Sequence, residues 1–280
     1  MIGSIVIRPL ALAEVQQLLC WAKHEGWNPG LDDAAAFYAA DPEGFLGCFV
    51  DDKLAAGISA VRYGSNFGFT GLYITRPGSR GKGYGRRVWD AGMALLDGRT
   101  IGLDGVPEQQ ANYRRMGFAA VSETFRWSGV HAGTATSDTD VIDVMPSLLP
   151  AIAAFDRNFF AEARDAFLNA WLAPPRVARA IVRNGEIQGY AVARACHDGV
   201  KIGPLFAQTP ADAKLLLDTL AATSDGQTLH IDVPAGQTAF SDDLQALGFV
   251  RGFATARMYK GPPPALNQAG IFGITSLELG

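Results

Sequence analysis

The stretch with the clearest chemical character is "RPGSRGKGYGRR" at residues 76–87, where glycines alternate with larger residues and arginines stand on both sides. Glycine is favoured where a backbone turns tightly or comes very close to a ligand. A strand-like segment precedes this stretch and a helical pattern follows it. Because helix N-termini hold anions through free N–H groups and a partial positive charge, the residues predict a loop that wraps a phosphate.

Two common nucleotide-binding motifs do not fit this loop. A Walker A loop would need glycine at Arg76 and serine or threonine at Gly83. The Rossmann pattern G-x-G-x-x-G cannot be completed from Gly81 or from Gly83. The pattern that does fit is R-x-x-G-x-G, met by Arg80, Gly83 and Gly85. An ordinary glycine-rich turn with solvated arginines is the alternative.

A second set of residues could move protons. Tyr113, in "NYRRMGF" (112–118), has a hydroxyl group that can exchange a proton, or could be a core aromatic. Glu25, in "EGWNPG" (25–30), and Asp104, at the end of "TIGLD", could accept one. Glu25 could also be a solvated loop carboxylate, and Asp104 could serve the fold.

Cysteine and histidine suggest no further chemistry. The three cysteines, Cys20, Cys48 and Cys196, are scattered and odd in number, so we expect reduced thiols in a cytoplasmic protein. Cys196 and His197 are neighbours in a strand and point to opposite faces, so we expect no metal. No serine or cysteine lies in a nucleophile motif.

Composition excludes several classes of partner. The 280 residues are 48% apolar and 19% charged, as in soluble globular proteins, and the net charge is −4. An acidic chain argues against nucleic acid as a partner. Arg8 and Pro9 interrupt the first apolar run, so we expect no signal peptide and no membrane span.

The chain contains an internal repeat. "VDDKLAAGISAVR" (50–62) matches "VRNGEIQGYAVAR" (182–194), and "TIGLD" (100–104) matches "TLHID" (228–232), at offsets of 132 and 128. "MGFAAVSETFR" (116–126) matches "LGFVRGFATAR" (247–257). We therefore predict two domains, copy one at 1–130 and copy two at 138–280, joined within 128–140. A long surface loop within one domain is the alternative for that join.

Apolar spacing in copy one predicts the order β-α-α-β-β-β-α-β-α-β. The glycine stretch falls between a strand and a helix, and Tyr113 falls in the last helix. The expected fold class is α/β with a mixed sheet: two tandem domains, each a central mixed β-sheet flanked by helices.

With these motifs in these positions, copy one resembles the GCN5-related N-acetyltransferases (GNAT), in particular a bacterial tandem subgroup. The R-x-x-G-x-G loop and "NYRRMGF" carry the resemblance, supported by "EGWNPG" and "GLDGV" (102–106). One departure is that the asparagine many members carry before the tyrosine is not plainly present in "DGVPEQQA". The resemblance implies direct attack of an amine on the thioester of acetyl-CoA, with no metal.

The resemblance also implies roles for individual residues. Coenzyme-binding residues would be Leu72, Tyr73 and Ile74 on a strand and Arg80, Gly81, Lys82, Gly83, Tyr84, Gly85 and Arg86 in and after the loop. Tyr113 would be the general acid, and Glu25 or Asp104 the general base. Trp27 and Asn28 would line the acceptor site.

Copy two resembles copy one in layout rather than in motif. At the offset of 132, Asp212, Ala213, Leu215 and Leu217 stand opposite the loop. At the offset of 131 that relates 116–126 to 247–257, Leu244 stands opposite Tyr113. A carboxylate and bulky side chains oppose pyrophosphate, so we predict a degenerate domain that supports copy one and shapes the acceptor cleft.

These observations favour an acetyltransferase acting on a small-molecule amine, in a monomer or a homodimer. A protein or peptide lysine or N-terminal acetyltransferase is the second candidate. A non-catalytic acetyl-CoA sensor is the third, since it would keep the loop without needing Tyr113.

Overall fold

The computed structural model describes residues 4–134 and 140–280. Copy one has the predicted order of elements: β1 (Ile5–Pro9), α1 (Leu12–His24), α2 (Asp33–Ala40), β2 (Phe45–Val50), β3 (Lys53–Tyr63), β4 (Phe67–Thr75), α3 (Tyr84–Leu95), β5 (Thr100–Gly105), α4 (Pro107–Arg115) and β6 (Ala119–Gly129). The helical spacing expected after the glycine stretch is real, since Val88, Trp89 and Gly92 form the buried face of α3.

Copy two repeats this order and adds a final strand. Its elements are β7 (Val141–Asp143), α5 (Leu149–Asp156), α6 (Asp165–Trp171), β8 (Val177–Arg183), β9 (Glu186–Ala195), β10 (Val200–Ala207), α7 (Pro210–Ala221), β11 (Leu229–Pro234), α8 (Thr238–Ala246), β12 (Val250–Lys260) and β13 (Ile271–Gly273). The mixed α/β fold with two repeated units is thereby confirmed.

The two copies share one continuous sheet because they exchange their long final strands. The strand order is β1-β2-β3-β4-β5-β12-β6-β11-β10-β9-β8-β7, with β13 beside β10. Strand β12 of copy two lies between β5 and β6 of copy one, and β6 in turn pairs with β11. Each copy therefore completes the sheet of the other.

Matching residues of the repeat form reciprocal ion pairs across this exchange. Asp104 of β5 faces Arg257 of β12, with both carboxylate oxygens 2.9 Å from guanidinium nitrogens. Asp232 of β11 faces Arg126 of β6 at 2.8 and 2.9 Å. Both pairs are buried, and removing one member of such a pair typically costs about 3–5 kcal/mol.

The helical layer also joins the copies. Phe37 of α2 stacks on Trp171 of α6 at 5.9 Å, and one hydrophobic core contains residues from both copies. Part of the predicted join, residues 135–139, lies outside the described residues, so the domain limits stay a prediction. Within the ranges described, no helix is both long enough and apolar enough to cross a membrane.

Candidate active site

A cleft of about 710 Å³ opens where β4 and β5 diverge. The two strands are parallel and pair only through Phe67–Phe69 and Thr100–Gly102. On its other side β5 pairs with β12 through Ile101–Gly105, and among the described residues no strand pairs with the β5-facing edge of β4 beyond Phe69. Copy one lines the cleft with Glu25, Trp27, Thr70–Thr75, Arg80, Trp89, Leu103, Asp104, Val106, Glu108, Gln109 and Tyr113, and copy two with Phe253, Thr255, Leu277 and Glu278.

A β-bulge distorts β4 at this point. Strand β3 pairs Ser59 with Gly71 and Gly57 with Ile74, so Leu72 and Tyr73 together face one residue of β3. Leu72 is buried and has a φ of +46°, a conformation that non-glycine residues adopt at a cost of about 1–3 kcal/mol. The bulge interrupts the ladder between β3 and β4 at Leu72 and Tyr73, and both residues line the cleft.

The glycine loop joins β4 to α3. Gly81 and Gly83 have φ values of +75° and +81°, and Gly83 is the N-cap of α3. A Cβ atom at either position would meet no protein atom within 4 Å. The backbone conformation thus requires glycine while the space above it stays open, which fits a bound pyrophosphate.

Gly85 has a different reason to be glycine. A Cβ atom there would lie 2.6 Å from Oγ1 of Thr75, so its absence lets the first turn of α3 lie directly on β4. Gly85 therefore packs the helix against the strand, in addition to any contact with a ligand.

The cations of the loop are partly engaged with protein groups. Nε of Arg80 donates to the carbonyl oxygen of Thr75 at 3.0 Å, and its guanidinium pairs with Glu25. Lys82 donates to the carbonyl oxygen of Gly78, and Arg86 pairs with Asp90. Within the loop, Arg80 alone is among the residues that line the cleft. Its contact with Glu25 brings the loop and "EGWNPG" together.

Tyr113 lies on the cleft wall within an aromatic cluster. Its ring stacks on Trp89 at 5.6 Å and meets Phe118 at 6.2 Å, while Trp89 also contacts Tyr73. Burial, with a smaller effect of Tyr73, raises the pKa of Tyr113 to about 12. The hydroxyl is therefore protonated at neutral pH, the state that a general acid needs.

The loop "EGWNPG" is held against copy two. The carbonyl oxygen of Trp27 accepts hydrogen bonds from Lys201 of copy two at 3.0 Å and from Arg126 of copy one at 3.2 Å. The side-chain amide of Asn28 both donates to and accepts from the backbone of Asp198. Trp27 lines the cleft, but Asn28 does not, because its amide joins the two copies.

Asp104 lines the cleft, yet Arg257 engages both of its oxygens. Burial raises the pKa of this carboxyl, and the charge of Arg257 opposes that rise. The contact supports the alternative that the residue serves the fold, while its role as a base stays a prediction.

The sequence did not reveal the four cleft residues of copy two. Phe253 and Thr255 lie in "FVRGFATAR", so the repeat had marked their strand without showing that it crosses to copy one. Leu277 and Glu278 belong to no motif that we identified.

The corresponding place in copy two is filled by the chain itself. Strands β10 and β11 pair in parallel through Val200–Ile202 and Leu229–Ile231 and then diverge, as β4 and β5 do. There β13 pairs with β10, and the N–H of Ile274 donates to the carbonyl oxygen of Asp232 on β11. We call the space between two diverging parallel strands the wedge. The wedge between β10 and β11 of copy two is therefore occupied by residues 271–274, whereas the wedge between β4 and β5 of copy one forms the cleft.

The loop before α7 is also shorter than the offset of 132 implied. Only Gln208 and Thr209 separate β10 from α7, compared with residues 76–83 in copy one. The position-by-position alignment was wrong, because it placed residues opposite the loop that belong to α7: Asp212, Ala213, Leu215 and Leu217. Asp212 is buried at the start of that helix and pairs with Arg183.

Comparison with known proteins gives matches over both copies. A model of the acetyltransferase (GNAT) family matches residues 12–118, and a model of an acetyltransferase (GNAT) domain matches residues 152–273. Holothin acyltransferase of Pseudoalteromonas sp. (strain SANK 73390) is 34% identical over 275 residues, covering 98% of this chain and 94% of that protein.

Two solved structures are similar in fold. A putative acetyltransferase from Pyrococcus horikoshii has a TM-score of 0.82 at 17% identity, covering 99% of this chain and 96% of its own. A tandem GNAT protein from the clavulanic acid biosynthesis pathway has a TM-score of 0.63 at 13% identity, covering 93% of this chain and 100% of its own.

Proposed function

The chain is an acyltransferase that belongs to the GNAT family, and on that premise we propose that it transfers an acetyl group from acetyl-CoA to the primary amine of a small molecule. The observation that carries the proposal is the composition of the cleft. A bulged strand, an arginine of the glycine loop and a protonated tyrosine border the same space as Trp27 and the residues of copy two.

Three features support acetyl-CoA as the acyl donor. The glycine loop offers open space above a backbone of positive φ at the start of α3. Arg80, Lys82 and Arg86 add positive charge there, around Gly81–Gly85. The divergence of β4 from β5 leaves a strand edge at Leu72–Ile74 along which the pantetheine arm can extend.

The proposed reaction is direct attack within a ternary complex. A carbon–nitrogen bond forms at the thioester carbonyl as the carbon–sulfur bond breaks. A backbone N–H of the bulge polarises that carbonyl. Tyr113 donates a proton to the leaving thiolate, whose conjugate acid has a pKa of about 8.5 as a free thiol. Glu25 and Asp104 are the bases that the sequence offers.

The walls of the cleft support a small acceptor. Copy two closes one side with Phe253, Thr255, Leu277 and Glu278, while Trp27 faces it from copy one. Burial among these side chains suits a small molecule better than a lysine on a protein surface, which would need an open groove. The relative named as a holothin acyltransferase makes holothin a rational first acceptor.

The same geometry supports different roles for the two copies. We assign coenzyme binding and the general acid to copy one, residues 1–130, and support of the acceptor wall to copy two, residues 138–280. Copy two would bind no coenzyme, because residues 271–274 fill the wedge between β10 and β11.

The test is release of coenzyme A from acetyl-CoA with holothin and with panels of small amines, amino acids and lysine peptides. We expect turnover with small amines and little with peptides. Faster turnover of peptides would favour the protein-acetyltransferase alternative. Tight binding of acetyl-CoA without turnover of any acceptor would favour the sensor.

A further inference from the structure

The segment that follows β13 carries a carboxylate into the cleft of copy one. After filling the wedge of copy two, the chain continues through Thr275 and Ser276 to Glu278. Glu278 is only 4% exposed and lines the cleft. Within residues 4–134 and 140–280, its carboxylate has no hydrogen bond and no ion pair. This carboxylate is therefore available to a ligand that binds in the cleft, where it would gain the partner that a buried charge normally has.

Two hydroxyl groups of the same cleft are also without partners among the described residues. Oγ1 of Thr70 on β4 and Oγ1 of Thr255 on β12 are both buried and unsatisfied. Both residues line the cleft with Glu278. Two unsatisfied hydroxyl groups and a buried carboxylate around one space suit a polar ligand, because such groups are normally hydrogen-bonded.

Apart from Glu108, which lines the cleft but is exposed in the first turn of α4, the other carboxylates near this space are already engaged. Glu25 pairs with Arg80, Asp104 with Arg257 and Asp232 with Arg126. Arg126, Arg194 and Lys201 attract Glu278 electrostatically, but each donates its own hydrogen bonds or ion pairs elsewhere. Glu278 is thus the buried carboxylate of the cleft that pairs with no side chain in residues 4–134 and 140–280.

The backbone holds Glu278 in place. Its carbonyl oxygen accepts a hydrogen bond from Oγ of Ser59 at 3.2 Å. A Cβ atom on Gly71 would lie 2.3 Å from that oxygen, so only glycine lets β4 and this segment approach so closely. The contact sets the carboxylate beside the bulged strand, where the thioester carbonyl is proposed to lie.

Resting on the proposed function, we propose that Glu278 binds the protonated amine of the acceptor and removes its proton. The acceptor is a small ammonium compound with an apolar body, since Trp27, Phe253 and Leu277 are among the apolar side chains of the same cleft. The nitrogen loses two protons overall. The carboxylate accepts the first before attack and passes it to solvent. The second leaves the nitrogen for solvent after the carbon–nitrogen bond has formed, while Tyr113 gives its proton to the thiolate and regains one from solvent, so that one proton is released per turnover. Thr70 and Thr255 supply hydroxyl groups for polar atoms of the acceptor.

The test uses acetyl-CoA with 2-phenylethylamine or holothin, whichever the wild-type protein turns over faster. Glu278→Gln keeps the shape and the backbone contacts but cannot accept the proton. We expect kcat/KM near pH 7 to fall about a hundredfold or more, with acetyl-CoA affinity within about twofold of wild type. The deficit should shrink as pH rises toward the pKa of the amine, because the free base form then needs no enzyme base.

A second variant separates chemistry from folding. Glu278→Ala should regain activity when formate is added, since formate supplies a carboxylate in the vacated space, and Glu186→Gln on the exposed start of β9 should behave as wild type. Unchanged activity of Glu278→Gln, or a deficit equal at every pH together with no rescue by formate, would overturn this inference alone. A wild-type protein that acetylates no amine would overturn the proposed function as well.

Discussion

The two copies contain the same wedge between diverging parallel strands and use it in opposite ways. In copy one the edge of β4 is open and bulged, and a long glycine loop leads into α3. In copy two β13 covers the edge of β10, and two residues replace that loop. The comparison shows that coenzyme binding depends on which strand edge the chain leaves unpaired, as well as on the residues of a motif.

The largest expected effect concerns the loop. Gly83→Val should abolish acetyl-CoA binding, because a β-branched residue is strongly disfavoured at a φ of +81° and its side chain would enter the open space. Gly185→Val is a matched control, since Gly185 in copy two has the same φ and the same open surroundings. Calorimetry should give one site per chain in the wild type and in the control. A stoichiometry near two, or a surviving weak site in Gly83→Val, would show that copy two binds coenzyme.

The next effect compares the reciprocal ion pairs. Asp104→Asn and Asp232→Asn should each lower the free energy of unfolding by about 3–5 kcal/mol, because each leaves a buried arginine without its counter-charge. Urea unfolding measures this loss. Turnover of the two variants, at a temperature where both are folded, should agree within about tenfold. Loss of turnover in Asp104→Asn alone would instead identify Asp104 as the general base.

The third comparison concerns Tyr113 of copy one, which corresponds to Leu244 in copy two, and Tyr113→Phe tests its role. We expect kcat to fall about a hundredfold or more with acetyl-CoA affinity retained, since only the proton donor is lost. Tyr38→Phe, on α2, serves as control. Full activity of Tyr113→Phe would refute the assignment.

The pH dependence of kcat should reflect the pKa of Tyr113. Because the pKa of Tyr113 is raised to about 12, its protonated form persists as pH rises and is lost only near that value. We therefore expect no fall in kcat up to about pH 10 that is due to this acid. A decline of kcat between about pH 7 and 9 that disappears in Tyr113→Phe would contradict this pKa.

The smallest effect concerns the acceptor wall. Trp27→Ala should raise KM for the acceptor about tenfold while changing acetyl-CoA affinity much less, because the ring lines the cleft and its loop is held through the backbone. Phe253→Ala should act in the same way from copy two. Equal losses for both ligands would indicate a general disturbance of the fold.

Sequence patterns predicted the elements of copy one because apolar spacing and glycine breaks are local properties. They also brought together Glu25, Trp27, Arg80, Asp104 and Tyr113, which line one cleft. They could not reveal the strand exchange, since a strand pattern does not specify its partner. The matched pairs Asp104–Asp232 and Arg126–Arg257 were visible, but their mutual pairing depends on contacts 153 and 106 residues apart.

The strand exchange also determines when, during synthesis, the sheet and the cleft can be completed. Strand β5 emerges from the ribosome with no neighbour on one edge, and its partner β12 follows about 8 to 30 seconds later at typical elongation rates. Until then the nascent chain carries an unpaired edge and an acidic residue, Asp104, that lacks its arginine. The glycine loop and Tyr113 exist early, but the acceptor wall does not. Catalysis therefore waits for β12 and the segment after it, and a chain interrupted before them has half a cleft.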